Sequence, residues 1–224
     1  PTITTSINNF SDAGDHYGAI TFTGGSDNNY ELNFVFGDFE ITKAQLTVTA
    51  DNKTKAYGQS NPELTYQYSG WLNGDDESDL DEKPVFGAFV DETTSAGTYP
   101  GTITEESGSD NNYELNFVSG NFTVNKATLT VTADDKTKMY GEFNPELTFS
   151  YSGWVNGEET IDEEPSISTA IGELSNAGTY AGAITLAGGS DNNYTLNLVA
   201  GDFEIAKASL VARAENKAIY IGQA

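Results

Sequence analysis

Asp75, Asp76, Glu77, Asp79 and Asp81 crowd one short stretch, and Glu158, Glu159 and Asp162 stand at the matching place further along. Carboxylate oxygens are the hard ligands that calcium prefers. The spacing is not that of an EF-hand loop, and Gly74 precedes the run instead of lying inside it. The competing reading, a solvated loop that keeps the protein soluble, is the one favoured. Asp27, Asp110 and Asp191 each sit in a Ser-Asp-Asn-Asn sequence. They could ligate calcium, but Asp and Asn are also what a tight turn uses to bond its own backbone, and the turn is preferred. Trp71 and Trp154 each follow a glycine. They could stack on a sugar, or pack as the last aromatic of a strand; one at each equivalent place favours packing. The lone histidine, His16, is set against Thr98 and Thr179 in the repeat alignment. With one His and no Cys, neither a zinc site nor a Ser-His triad can be built from these residues. Carboxylates alone would have to carry any catalysis, so the chain reads as a non-enzyme.

Those residues recur because the chain does. Ser109–Ala127 reads Ser-Asp-Asn-Asn-Tyr-Glu-Leu-Asn-Phe-Val-Ser-Gly-Asn-Phe-Thr-Val-Asn-Lys-Ala, and close copies run from Ser26 to Ala44 and from Ser190 to Ala208. The copies start 83 and 81 positions apart. A period of this size means an array of small modules. Residues 1–42 match 84–125 without a gap and form the second half of a module. Residues 43–125 and 126–206 are complete modules, and 207–224 begin another. Residue 1 falls inside a repeat, so the chain is expected to be a piece of a longer protein.

The 224 residues carry 34 acidic and 10 basic side chains, a net charge of −24. That is the wrong sign for a phosphate backbone or an anionic lipid surface. It suits a surface that faces salt water or collects cations. No cysteine is present, so no disulfide staples the modules. No apolar run approaches a membrane span.

Within a module the period is two. Leu46-Thr47-Val48-Thr49-Ala50 alternates like a half-buried strand. Lys53–Tyr57 reads as an edge segment, its lysines on an exposed edge. Leu64–Tyr68 is a further strand, and the acidic stretch that follows is a surface loop with room for one helical turn. Its length differs by two residues between modules. Val85–Val90 and Gly97–Ile103 are strands, with Pro100 marking an edge or a bulge. Tyr113–Val118 and Phe122–Val124 read as a hairpin across Ser119-Gly120, with Tyr113, Leu115, Phe117, Phe122 and Val124 facing inward. About seven short strands per module predict tandem immunoglobulin-like β-sandwiches, and Ala96-Gly97-Thr98-Tyr99 resembles a tyrosine corner. The alternative is a β-grasp with one short helix near Glu77–Leu80.

The ordered set of Leu-Thr-Val-Thr-Ala, a Lys-rich segment, Tyr57-Gly58, Asn61-Pro62, Asn73-Gly74, Ala-Gly-Thr-Tyr and Tyr113 resembles the MBG modules of Tyr-Gly type. Tyr140-Gly141, Asn144-Pro145, Asn156-Gly157 and Tyr194 repeat it, while Tyr220-Ile221-Gly222 in the tail departs from it. The resemblance implies long arrays in bacterial secreted and surface proteins, many of them adhesin-like, and it brings no catalytic residues.

The expected function is therefore a non-catalytic stalk region of a large extracellular, adhesin-like bacterial protein, secreted or on the cell surface. Its partners would be neighbouring repeats and a host or surface glycan or protein. Calcium is the single cofactor considered, and a small or absent effect is expected. Lys126-Ala127 joins two strands with no Gly/Ser linker, which predicts stiff joints and an elongated array. A carbohydrate-binding module is the first alternative. A carboxylate-based polysaccharide hydrolase is the second, disfavoured because its acids would lie in a loop of variable length. Each end is expected to lean on its adjacent module or to fray. Pairing of one molecule's tail with another's head is the alternative, weakened because neither end replaces residues 61–83.

Overall fold

The computed structural model describes residues 1–219 and 221–222, and they form two compact units, Pro1–Asn125 and Lys126–Ala224. The first unit holds a head and a complete module. Head strands β1 (Thr2–Thr5), β2 (Gly14–Thr23) and β3 (Gly37–Ile41) make one antiparallel sheet in that order. The first module contributes β4 (Ala44–Ala50), β5 (Lys53–Ala56), β6 (Tyr66–Ser69), β7 (Glu82–Ala88), β8 (Gly97–Ser109), β9 (Tyr113–Val118) and β10 (Gly120–Asn125). These split into a sheet β6-β4-β9 and a sheet β5-β10-β8-β7. The second unit repeats the plan with β11 (Ala127–Ala133), β12 (Lys136–Met139), β13 (Phe149–Ser152), β14 (Ser166–Thr169), β15 (Gly178–Ala187), β16 (Tyr194–Val199) and β17 (Gly201–Ala206). Its sheets are β13-β11-β16 and β12-β17-β15-β14. The complete modules are tandem β-sandwiches.

Two ribbons run side by side through each module. β4 pairs parallel with β9, and β5 parallel with β10. The partners lie 69 positions apart in both ladders, as Ala44 with Tyr113 and Lys53 with Phe122. Both ribbons therefore leave one sheet and enter the other at the same level. This corrects the expected hairpin: β9 and β10 are consecutive in sequence but belong to different sheets. Gly120 marks the change, because a Cβ there would stand 3.0 Å from the carbonyl oxygens of Ala50 and Asp51. Asn52 Oδ1 accepts from Asn121 N at 2.7 Å just beyond it. Gly201 makes the same approach to Ala133, and Asp135 accepts from Asp202 N.

The inner faces carry Leu46, Val48, Ile103, Phe122 and Val124 in the first module and Leu129, Val131, Ile184, Phe203 and Ile205 in the second, all buried. Their alternation is what the period of two requires. Pro100 lies in β8 before its pairing with β7 begins at Ile103, so it stands at a local edge as well as at a bulge. The β8–β10 ladder slips between Tyr99–Phe122 and Ile103–Gly120, a bulge that excuses the missing N–H. Tyr99 Oη donates to Ser95 O, and Tyr180 Oη to Asn176 O, both at 2.7 Å. His16 Nε2 lies 2.8 Å from Asp12 O, and His16 faces Phe39 as Tyr99 faces Phe122. His16 is thus the counterpart of Tyr99 and Tyr180, which corrects its alignment with the threonines.

The ends differ from expectation. Residues 30–36 form no strand, so the head has no hairpin over Tyr30–Ile41. Residues 207–219 are exposed and carry no strand, so the expected opening strand over Leu210–Ala214 is not formed. The part of the tail segment at Tyr220 lies outside the described residues. The head does lean on the first module. Asn112 Oδ1 accepts from Ala13 N at 2.7 Å, and Asn73 Nδ2 donates to Asn9 O at 2.9 Å. Among the described residues, no helix is long and apolar enough to cross a membrane.

Candidate functional site

The acidic loop of the first module is fastened to the sandwich one carboxylate at a time. Tyr113, at the start of β9, donates its hydroxyl to Asp75 Oδ2 at 2.7 Å and accepts from Leu72 N at 3.0 Å. Asp76 caps a 3-10 turn over Glu77–Asp79, accepting from Ser78 N and Ser78 Oγ, while Asp79 Oδ2 accepts from Asp76 N. The Ser78 hydroxyl, followed by its N–H, holds the Asp76 carboxyl below the usual range. Glu77 Oε1 accepts from Tyr66 Oη at 2.7 Å. Asp81 Oδ2 accepts from Asn111 N, and Asp110 Oδ2 accepts from Asp81 N. Burial first, and then the bond to Asp75, push the Tyr113 phenol up.

The second module repeats this latch on a shorter loop. Tyr194 Oη donates to Glu158 Oε2 at 2.5 Å, and Val155 N donates to Tyr194 Oη. Asp162 Oδ2 accepts from Asn192 N, and Asp191 Oδ2 accepts from Asp162 N. Glu159 is exposed. Phe149 stands where Tyr66 stands, so the second module has no counterpart of the Tyr66–Glu77 bond.

Each Ser-Asp-Asn-Asn sequence is a turn closed by its aspartate. Asp27, Asp110 and Asp191 each accept from two backbone N–H groups, those of Asn29 and Tyr30, Asn112 and Tyr113, and Asn193 and Tyr194. A cleft of about 370 Å³ brings Asp75, Asp79 and Asp110 near Asn9 and Asp12 of the head. Among the described residues, no three His, Asp or Glu side chains converge as a metal-holding set.

Both tryptophans are half-buried among tyrosines. Trp71 packs tilted on Tyr68 at 4.9 Å and edge-on to Tyr113 at 5.3 Å. Trp154 meets Tyr151 at 5.1 Å and Tyr194 at 5.5 Å in the same way. Among the described residues, the hydroxyls of Tyr68 and Tyr151 are buried with no hydrogen-bond partner, and burial pushes both phenols up. An orphan hydroxyl costs roughly 1–3 kcal/mol.

Sequence reasoning missed the residue that organises the opposite sheet. β5 does lie at an edge, but Lys55 turns inward and is only 5 % exposed. Its Nζ donates to Asn61 Oδ1 at 2.8 Å and to Asp91 O, and it lies 5.8 Å from the centre of the Phe122 ring. Asn61 Nδ2 donates to Val90 O, which ties the Asn-Pro turn to the loop after β7. Tyr57 is buried with its N–H on Asn125 O, and Gly58, at φ +79°, donates to Glu92 O. Lys138 does the same work, donating to Glu142 O and Gly172 O, while Asn144 holds Ile171 O. The signal was parity, since Lys53, Lys55 and Tyr57 share one face of an alternating segment. A lysine was assumed to belong outside.

The Lys, Tyr-Gly and Asn-Pro positions are therefore one knot in the first module, and the second repeats its buried lysine with a different set of acceptors and with Tyr140 exposed where Tyr57 is buried. A family model described as MBG domain (YGX type) matches residues 46–123 and again 129–204. The chain belongs to this family. No curated protein and no solved structure shows significant similarity to it. Each MBG module thus has two fastenings, the lysine knot under the Tyr-Gly turn and the tyrosine–carboxylate latch on the acidic loop.

Proposed function

We propose that these MBG modules are non-catalytic spacers in the stalk of a large, extracellular, adhesin-like bacterial protein, secreted or held at the cell surface. The observation that carries this reading is the repeated latch. Residues whose types suggested ligand chemistry are bonded to their own module, Asp75 to Tyr113 and Glu158 to Tyr194, with Trp71 and Trp154 packed beside them. A net charge of −24 suits a surface that faces salt water. Recognition of a host or surface glycan or protein would then belong to other parts of such a protein.

Pulling single molecules tests the mechanical side. Each complete module should give its own unfolding event, releasing roughly 270–300 Å of chain less the folded module's own span, from about 3.3–3.6 Å per extended residue. One shared event would overturn a spacer built of independent units. A glycan array and tryptophan fluorescence during sugar titration test the binding-module alternative, and a saturable response abolished by Trp71→Ala would establish it. Calcium at millimolar concentration should leave the melting temperature unchanged, whereas a rise would show selective binding to the native state. Antibody labelling of intact cells tests the location, with unlabelled cells the result that sinks it.

A further inference from the structure

The ribbon on which the chain enters a complete module and the ribbon on which it leaves overlap along their whole length. In the first module β4 runs on into β5 and β9 into β10, and the two ribbons pair parallel from Ala44 with Tyr113 to Ala56 with Asn125. The ladder continues at both ends. Ala44 N donates to Asn112 O at 2.9 Å where the chain comes in, and Tyr57 N donates to Asn125 O at 2.8 Å where it goes out. Asn52 Oδ1 carries the ladder across the change of sheet by accepting from Asn121 N. The second module has the same run, from Ala127 N on Asn193 O, through Asp135 on Asp202 N, to Tyr140 N on Ala206 O.

We propose that this overlap is a mechanical clamp, which holds a module folded under tension along the chain until its parallel ladder fails as a unit. The stalk reading supplies the tension, and the inference rests on it for that alone. Tension draws the entering ribbon backward from Ala44 and the leaving ribbon forward from Asn125. The two ribbons run in the same direction, so they are pulled past one another and not apart. Bonds in a parallel pair are evenly spaced, so the rungs share the load. Two strands pulled apart from one end would instead open a rung at a time.

Sliding is opposed inside the module as well. A slip of one position turns every side chain to the opposite face. Leu46, Val48, Phe122 and Val124 are all buried and would leave the core together. Lys55 pins β5 crosswise through its bonds to Asn61 Oδ1 and Asp91 O, and Lys138 pins β12 to Glu142 O and Gly172 O. The acidic loop and its latch hang between the two ribbons and lie off the line of load.

Pulling one module in two directions tests this. The chain has no cysteine, so handles on two introduced thiols load only the chosen points. Thr42, Ser60 and Lys126 are exposed. In the full chain, Thr42→Cys with Lys126→Cys loads the first module in shear. Ser60→Cys with Lys126→Cys pulls the same ribbons apart from one end. Both variants should melt as the unaltered chain does, and shear should need a rupture force severalfold higher. Rupture reads the unfolding barrier and not the equilibrium stability. Lys55→Met should therefore lower the shear force, while Tyr113→Phe, which removes only the latch hydroxyl, should leave it unchanged. Equal forces in the two directions would overturn the clamp, and so would a shear force that falls with the loss of the latch. Neither result touches the spacer reading, which fails on a single shared unfolding event.

Discussion

Tyr30-Glu31-Leu32-Asn33-Phe34-Val35 and Tyr113-Glu114-Leu115-Asn116-Phe117-Val118 are the same six residues, and only the second set is a strand. The turn before each is also the same. Asp27 and Asp110 both accept from the backbone two and three positions on. The turn forms in both places because its bonds are local. The strand forms only where β4 lies alongside, because its bonds and its apolar cover come from a segment 69 positions away. In the head, Phe34 stacks instead on Phe22 at 5.2 Å, a makeshift cover for a face with no second sheet. Propensity was equal in the two places, so the neighbour decided.

The sharpest contrast should come from the matched phenylalanines. Phe122→Ala, fully buried, should cost roughly 3–5 kcal/mol in denaturant unfolding of the first module. Phe39→Ala should cost a small fraction of that, and equal losses would mean that the head face is covered in solution. Leu46→Ala should cost about 2–5 kcal/mol. It should also lower hydrogen-exchange protection of residues 113–118 toward that of 30–35, while leaving the Asp110 turn intact. Unchanged protection would show that β9 does not depend on β4.

Gly120→Ala should destabilise by about 1–3 kcal/mol, since its Cβ meets backbone oxygens that cannot swing away. Gly37→Ala, where the nearest atom is Ile20 Cβ at 3.5 Å, should be tolerated, as melting temperatures would show. Tyr113→Phe removes the latch to Asp75 and should cost about 1 kcal/mol, whereas Tyr30→Phe should change nothing measurable. The smallest effect is a pH dependence. The Thr93 and Thr94 hydroxyls hold the Asp91 carboxyl below its ordinary value. It therefore contributes stability above about pH 3.9, the unfolded value, lost as pH falls through the folded pKa. The matching head turn uses Asn8, which accepts from Phe10 N and does not titrate. NMR titration should find a depressed Asp91 pKa, and replacing it with Asn should remove that part of the acid sensitivity.

Much of the fold was legible from the chain. The repeat period, the alternating strands and the Ser-Asp-Asn-Asn turns all rest on interactions within a few residues. The tyrosine corner was legible too, since its bond spans four positions. What the sequence did not disclose depends on contacts far apart in it. The pairing of β9 with β4 instead of β10 was hidden because adjacent strands usually pair, and nothing local says that Gly120 changes sheets. Lys55 passed for a surface lysine because its carbonyl and amide partners come from loops up to 36 positions away. The acidic loop declared its charge but not its bonds to Tyr113 and Tyr66. Local chemistry set the turns and the alternation. The tertiary structure decided which face each strand covers, which charges are spent inside the module, and that one hexapeptide is a strand in one place and not in the other, because burial and strand pairing need a neighbour the hexapeptide cannot supply.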